Sequence, residues 1–140
     1  MSKPVNTKKI HIKTGQDVVN LIMGEMRYEQ REIAKLLLLN NKNNLIKIID
    51  IAFGGRNFAV LEPKEILMEA IQNGASKIIL AHNHPSGDAT PSTEDFRVTD
   101  RIYEAADIMG ITLLDHIIIG DRRIQKPNIS REKIGRKEKT

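Results

Sequence analysis

The sequence predicts a single α/β domain in which helices pack on a mixed β-sheet. With 140 residues, the chain has the length of one ordinary domain and is large enough to bury its own core. Apolar runs of strand length alternate with segments of helical periodicity, in the order α-β-β-α-β-α-β. No internal repeat and no linker divides the chain before its basic C-terminal end. These observations indicate one domain with helices packed against one sheet.

The first half of the chain predicts one helix and two strands. A helix is expected over residues 14–26, because Thr14 and Asp17 have the spacing of a capping box and apolar residues recur at helical intervals. Strands are expected at Arg31–Leu39 and Leu45–Phe53, since both runs are rich in apolar residues and an Asn-rich turn separates them.

A second helix and a short strand follow. The helix should begin near Pro63, where the missing N–H costs nothing, and should end at Gly74. The apolar run Lys77–Ala81 predicts a short strand in the centre of the sheet. The expected buried face of this helix consists of Ile66, Leu67, Ala70 and Ile71.

The third helix is the longest that the sequence predicts. It should run from Thr93 to Met109 and end at Gly110. Ile111–Gly120 predicts a further strand, and residues 123–125 could add an edge strand. The buried stripe expected on this helix consists of Thr99, Ile102, Ala106 and Met109.

The net charge of +4 is unevenly distributed. The last 19 residues contribute +6, which leaves −2 for residues 1–121. We therefore divide the chain into a basic N-terminal arm (1–13), the domain (14–125) and a basic tail (126–140). The tail is expected to be disordered and solvated, with a weak nucleic-acid contact as the alternative.

The composition excludes several classes of site and location. Because the chain has no cysteine, it has no disulfide, and any metal must be held by nitrogen and oxygen ligands. No apolar run approaches the roughly 20 residues that span a bilayer, and the basic start lacks the apolar segment of a signal peptide. We expect a cytoplasmic protein without a membrane partner.

The stretch HNHPSGDATPSTED, residues 82–95, predicts a metal site. His82 and His84 are two residues apart, which places both rings on one face of extended chain, and Pro85 favours that conformation. Asp95 lies four residues before Thr99, in line with the buried stripe of the third helix. Two imidazoles and one carboxylate form a normal ligand set for zinc, with a fourth position left open for water.

The same residues have an explanation that involves no metal. Ser92 and Asp95 match a capping box, and the prolines and the Ser-Gly-Asp sequence are ordinary residues of turns. The two explanations are compatible, since Ser92 can cap the helix while Asp95 binds a metal.

The stretch also resembles a known family of zinc hydrolases. His82, His84, Pro85, Ser92 and Asp95 match the motif H-x-H-P-x(6)-S-x-x-D of the JAMM (MPN/JAB) hydrolases. From about residue 14 to residue 125, the sequence is similar to the RadC-like branch of that family. The resemblance implies a single MPN/JAB-type fold, related to cytidine deaminases, with one zinc ion per chain held by the two histidines and the aspartate.

The resemblance further implies a catalytic glutamate and a reaction. REIAKLLLLNNKN is similar to the family segment that supplies the glutamate, which makes Glu32 the expected general base and Glu29 its rival. Zinc would activate a water molecule, and Ser92 would stabilise the oxyanion. The implied activity is hydrolysis of a peptide or isopeptide amide bond in a protein or peptide substrate.

Two other interpretations remain open at this stage. The domain could be a zinc-stabilised interaction module that cleaves nothing, or a DNA-repair accessory of the RadC type. The second has weak support, because about thirteen residues precede the domain, where RadC proteins commonly carry DNA-binding helix-hairpin-helix segments. The pair Asp115-His116 also recurs in RadC-like sequences. Its members should face opposite sides of a strand, so one of them is expected behind the metal site.

Overall fold

The described part of the chain forms one six-stranded sheet with helices on both faces. A computed structural model describes residues 3–4, 9–26, 28–51, 61–120 and 128–129. In chain order the elements are β1 (Lys3–Pro4), α1 (Gly15–Met26), β2 (Ala34–Leu39), β3 (Leu45–Ile51), α2 (Pro63–Gln72), β4 (Lys77–Asn83), α3 (Thr93–Ile108), β5 (Thr112–Ile119) and β6 (Asn128–Ile129). The predicted α-β-β-α-β-α-β series is confirmed, with a two-residue strand added at each end.

The sheet has the strand order β1-β3-β2-β4-β5-β6 and is mixed, as predicted. β4 lies in the middle, antiparallel to β2 and parallel to β5. Because α3 is the crossover between two parallel strands, its first turn lies near the edge of the sheet where β4 ends. This topology brings the end of β4 and the start of α3 together.

Two hydrophobic cores explain the uninterrupted run of four leucines in β2. Leu36 and Leu38 belong to the cluster under α2 and α3, whereas Leu37 and Leu39 belong to the cluster under α1. All four side chains are 0% exposed, because both faces of the sheet are covered. Each fully buried leucine stabilises the fold by about 1.5–3 kcal/mol relative to an exposed one, so the two cores fix β2 firmly between its neighbours.

The capping box predicted for α1 is present. The side chain of Asp17 accepts a hydrogen bond from the backbone N–H of Thr14 at 3.1 Å, and the Thr14 hydroxyl accepts one from the N–H of Asp17 at 3.3 Å. Two N–H groups without helical partners are thereby satisfied at the start of the helix.

Two residues assigned to buried helix faces are exposed instead. Ile71 is 52% exposed and Met109 is 54% exposed, so both assignments are wrong. Ile71 lies beside the buried stripe of α2, and Met109 follows the last residue of α3, where the chain turns toward β5. The rest of each predicted face is buried.

The strands that flank the metal motif have different bounds from those predicted. β4 continues to Asn83, so His82 lies within the strand and not in the loop after it. β2 begins at Ala34 and not at Arg31, because the N–H of Ile33 donates to the side chain of Asn83 at 2.6 Å. Glu32 therefore precedes the strand.

Several predictions fall partly or wholly outside the described residues. These are the end of the second strand at Phe53, the edge strand at residues 123–125 and most of the tail. Within the segment assigned to the tail, Asn128–Ile129 pairs antiparallel with Ile117 and Ile118 of β5. No helix in the described part of the chain is long and apolar enough to cross a membrane.

Candidate metal centre

Three side chains converge where β4 ends and α3 begins. His82 is on β4, His84 follows directly after the strand, and Asp95 is in the first turn of α3. His82 Nε2 lies 3.1 Å from Asp95 Oδ1, and His84 Nε2 lies 2.9 Å from Asp95 Oδ2. One ligand atom from each residue lies within 4.8 Å of the others, so the group could hold a metal ion.

Backbone contacts hold the two histidines in extended chain. His82 is in register with Ala34 on one side and with Ile118 on the other. The N–H of His84 donates to the carbonyl of Ile119 at 2.8 Å, so the extended backbone continues past the end of β4. The two rings therefore share one face, as the spacing predicts.

The capping box of α3 holds the carboxylate. The hydroxyl of Ser92 accepts a hydrogen bond from the N–H of Asp95 at 3.0 Å, and Asp95 Oδ2 accepts one from the N–H of Ser92 at 2.8 Å. The metal-free explanation of these two residues is therefore correct about their geometry. It does not exclude a metal, because Asp95 caps the helix and faces both imidazoles at the same time.

The loop of residues 84–92 lies directly on the end of β5. Gly87 has φ +93°, a conformation that favours glycine, and its N–H closes a turn onto the carbonyl of His84 at 2.9 Å. A Cβ on Gly120 would collide with the backbone of Asp88 and Ala89. In the sequence, Gly120 marks only the end of the predicted strand, and its close packing against the loop is seen only in the structure.

Burial and hydrogen bonding shift the pKa values of His82, His84 and Asp95 in different directions. Burial lowers the pKa of His82. The hydrogen bond to Asp95 raises the pKa of His84. Burial alone would raise the pKa of Asp95, but its contacts with His82 and His84 outweigh burial and hold that pKa far below its usual range. Asp95 is thus an anion at neutral pH, as a metal ligand must be.

The donor atoms fit a cation. Nδ1 of His84 donates to the carbonyl of Asp88 at 2.8 Å, so in the neutral ring Nε2 carries a lone pair that points at Asp95. His82 Nε2 is completely buried and lies 3.1 Å from Asp95 Oδ1. Buried lone pairs that face a carboxylate are unfavourable unless a proton or a metal ion lies between them.

Glu32 and Glu29 have different surroundings. The negative charge of Glu32 contributes to the raised pKa of His84 and partly offsets the effect of burial on the pKa of His82. Glu29 instead accepts hydrogen bonds from the backbone and side chain of Arg31, at 3.3 and 3.5 Å. This electrostatic effect on both imidazoles favours Glu32 over Glu29 as the general base.

The sequence model of the family described as RadC-like JAB domain matches residues 12–130. The chain belongs to this family. The RadC-like JAB domain is 51% identical over 112 residues to a UPF0758 protein of Caldanaerobacter subterraneus, covering 80% of this chain and 48% of that protein. It is 50% identical over 121 residues to a UPF0758 protein of Alkaliphilus oremlandii, covering 86% and 51%. The chain spans about half the length of the relatives it matches.

The structure adds Asn83 as a residue that could position Glu32 in this RadC-like JAB domain. Its side-chain oxygen accepts from the N–H of Ile33 at 2.6 Å, and its amide donates to the carbonyls of Arg31 at 2.8 Å and Glu29 at 3.3 Å. Its side chain thus binds the backbone on both sides of Glu32. The signal in the sequence was only its place between the two histidines.

The structure also answers which member of Asp115-His116 lies behind the metal site. His116 Nε2 lies 2.8 Å from Nδ1 of His82, and its Nδ1 lies 2.5 Å from the hydroxyl of Thr99. His82 and His116 are both 0% exposed. His116 is therefore the residue behind the site, and it contacts the metal-ligand candidate His82 directly.

A bulge in β5 decides that orientation. Ile78 pairs with Leu113 and Ile79 with Asp115, so Leu114 has no partner on β4. Leu113 packs under α3 and Leu114 against the α1 cluster. If Leu114 were paired as a regular strand residue and there were no bulge, alternation from Leu113 would turn Asp115 toward α3 and His116 away from it.

Proposed function

We propose that this RadC-like JAB domain is a zinc-dependent hydrolase that cleaves amide bonds in peptides or proteins. The observation that carries the proposal is the convergence of three ligand atoms within 4.8 Å of one another, together with a glutamate whose charge acts on both imidazoles. Two imidazoles and one carboxylate favour zinc over magnesium or calcium, which prefer oxygen ligands.

In the proposed hydrolysis, three residues would hold zinc and two others, Glu32 and Ser92, would act on the substrate and the attacking water. When bound by His82, His84 and Asp95, zinc would supply Lewis acidity that activates water and polarises the scissile carbonyl. Glu32 would accept a proton from the attacking water and later deliver it to the leaving amine, so no proton is gained or lost over the cycle.

Ser92 would bind the oxygen of the scissile carbonyl. Its hydroxyl oxygen already accepts from the N–H of Asp95, which leaves its own proton available as a donor. A donor held by the capping box is preorganised and is worth most where negative charge develops in the transition state.

The alternative is a zinc-stabilised interaction module that cleaves nothing. It requires the same three ligands but gives Glu32 no role. The two proposals therefore differ in the expected effect of Glu32→Gln: the hydrolase would lose amide hydrolysis, whereas the interaction module would be unchanged.

The test compares four proteins loaded with zinc: the wild type, Glu32→Gln, Glu29→Gln and Ser92→Ala. Zinc content is measured in each before a library of peptide and isopeptide substrates is applied. Glu32→Gln should keep zinc and lose roughly 100-fold or more of the hydrolysis. Ser92→Ala should lose about 10- to 100-fold, because one oxyanion donor is removed. Glu29→Gln is the matched control and should retain activity.

Two results would decide against parts of the proposal. If the zinc-loaded wild type cleaves nothing across the library, the interaction module replaces the hydrolase. If Glu29→Gln abolishes turnover and Glu32→Gln does not, the general base is Glu29.

A further inference from the structure

We propose that Thr99 and His116 are positioning residues that fix which ring nitrogen of His82 faces the metal centre. The proposal rests on the metal site described above. It concerns the chain of hydrogen bonds behind that site, which lies in the core between α3, β4 and β5.

A series of contacts leads from Asp95 through Thr99, His116 and His82 back to Asp95. The hydroxyl of Thr99 donates to the backbone carbonyl of Asp95 at 2.7 Å and lies 2.5 Å from Nδ1 of His116. Nε2 of His116 lies 2.8 Å from Nδ1 of His82. Nε2 of His82, on the far side of that ring, lies 3.1 Å from the carboxylate of Asp95.

The direction of each hydrogen bond follows from one fixed acceptor. A carbonyl oxygen can only accept, so the single proton of the Thr99 hydroxyl points at the carbonyl of Asp95. The hydroxyl oxygen must then accept from His116, which places a proton on Nδ1 of that ring. In a neutral His116, Nε2 is an acceptor, so His82 must donate to it from Nδ1. The lone pair of His82 is left on Nε2, where it faces the metal centre.

The environment keeps both rings neutral. His82 and His116 are 0% exposed, and burial opposes a second proton on either ring. With one proton on each ring, the chain of hydrogen bonds has a single consistent arrangement.

This arrangement prepares His82 to bind a metal. A metal-bound histidine donates its other N–H to an acceptor that fixes the tautomer and the ring plane. Here the acceptor is another neutral imidazole, held by the helix that also supplies the ligand Asp95. A ligand imidazole and a ligand carboxylate are therefore aligned by one continuous set of contacts before any metal binds.

The first test uses a matched pair at position 99. Thr99→Val keeps the shape of the side chain but removes the hydroxyl, whereas Thr99→Ser keeps the hydroxyl but removes the methyl group. Zinc affinity is measured by competition with a chelator. Thr99→Val should bind zinc about 10-fold more weakly than wild type, and Thr99→Ser within about 2-fold, if the hydroxyl acts through His116. Equal zinc affinities for the two variants would overturn the proposal.

The second test replaces His116 itself. His116→Leu fills the space without an acceptor and should weaken zinc binding about 10- to 100-fold, while His116→Gln offers an amide oxygen to His82 and should recover most of it. Ile102→Val, one turn further along α3 and also 0% exposed, is the control for general loosening of the core. It should lower the melting temperature without changing zinc affinity. If Ile102→Val weakens zinc binding as much as His116→Leu, the role of His116 is only structural.

The third test does not depend on zinc. Nitrogen-15 NMR of the histidine rings in the zinc-free wild type should show the proton of His82 on Nδ1 and that of His116 on Nδ1. A proton on Nε2 of His82 would refute the proposed arrangement. The measurement decides this proposal even if the wild type takes up no zinc, a result that would count against the proposed hydrolase instead.

Discussion

Asn83→Ala should disconnect Glu32 from the metal site while leaving the metal in place. The substitution removes three hydrogen bonds from a side chain that is 2% exposed, to the backbone of Glu29, Arg31 and Ile33. A net contribution of roughly 1 kcal/mol for each bond gives a loss of about 2–3 kcal/mol in the free energy of unfolding. The segment that carries Glu32 would then keep the backbone hydrogen bond from the N–H of Asn83 to the carbonyl of Ile33 but lose these three side-chain contacts with the end of β4.

The assay combines urea denaturation, zinc content and hydrolysis of whichever substrate the wild type cleaves. We expect zinc content near that of the wild type, since none of the ligands has changed, and at least a 10-fold loss of turnover because a displaced base cannot reach the water. Asn73→Ala is the control, because the Asn73 side chain also donates to a backbone carbonyl, that of Glu69 at 2.8 Å, at the end of α2. Turnover that stays at the wild-type level in Asn83→Ala would refute the reasoning, as would equal losses in both variants.

Three further predictions concern metal binding and the stability of the fold. Removing zinc with a chelator should lower the melting temperature, since free zinc at 100 times its dissociation constant stabilises the folded state by about 2.7 kcal/mol. Gly120→Ala should weaken zinc binding and lower the melting temperature, because its Cβ would collide with the loop of residues 84–92, whereas Gly24→Ala on the exposed face of α1 should be neutral or slightly stabilising. Burial alone would lower the pKa of Lys35, but hydrogen bonds to acidic partners outweigh it and raise that pKa. The ion pairs of Lys35 with Glu25 and Asp50 therefore stabilise the fold from neutral pH to pH 10.5 and are lost as pH rises through the raised value. The stability difference between wild type and Lys35→Met in urea should stay constant from neutral pH to 10.5 and change above it.

Local chemistry made most of the fold predictable, as well as the convergence of the three candidate ligands. The spacing of His82 and His84 has a meaning only in extended chain, and the apolar run before them indicated a strand. Asp95 follows from the capping box and from the buried stripe of α3. Each of these inferences needs only neighbours within one or two turns of the chain, which is the range over which sequence patterns determine structure.

The residues that support the site could be predicted only in part: the sequence singled out the pair Asp115-His116 but not which member contacts the site, because the partners are distant in sequence. Asn83 contacts residues about 50 positions away, and His82 contacts His116 34 positions away. The orientation of His116 depends on the bulge at Leu114, which has no partner on β4. The sequence near Leu114 does not predict this bulge. The start of β2 was misplaced for the same reason, since the side chain of Asn83 accepts from the N–H of Ile33, which would otherwise continue the strand.

The position of Asp95 couples the formation of the first turn of α3 to the binding of a metal ion. One carboxylate completes the first turn of α3 through Ser92 and also faces the two imidazoles. Fraying of that turn would withdraw a ligand, and a bound cation would in turn oppose fraying, so hydrogen exchange at the start of α3 should slow in proportion to metal occupancy. For the same reason, exchanging Asp95 for a third histidine would keep the number of ligands but remove the acceptor of the Ser92 N–H. The start of this helix and the affinity of the site can therefore change only together.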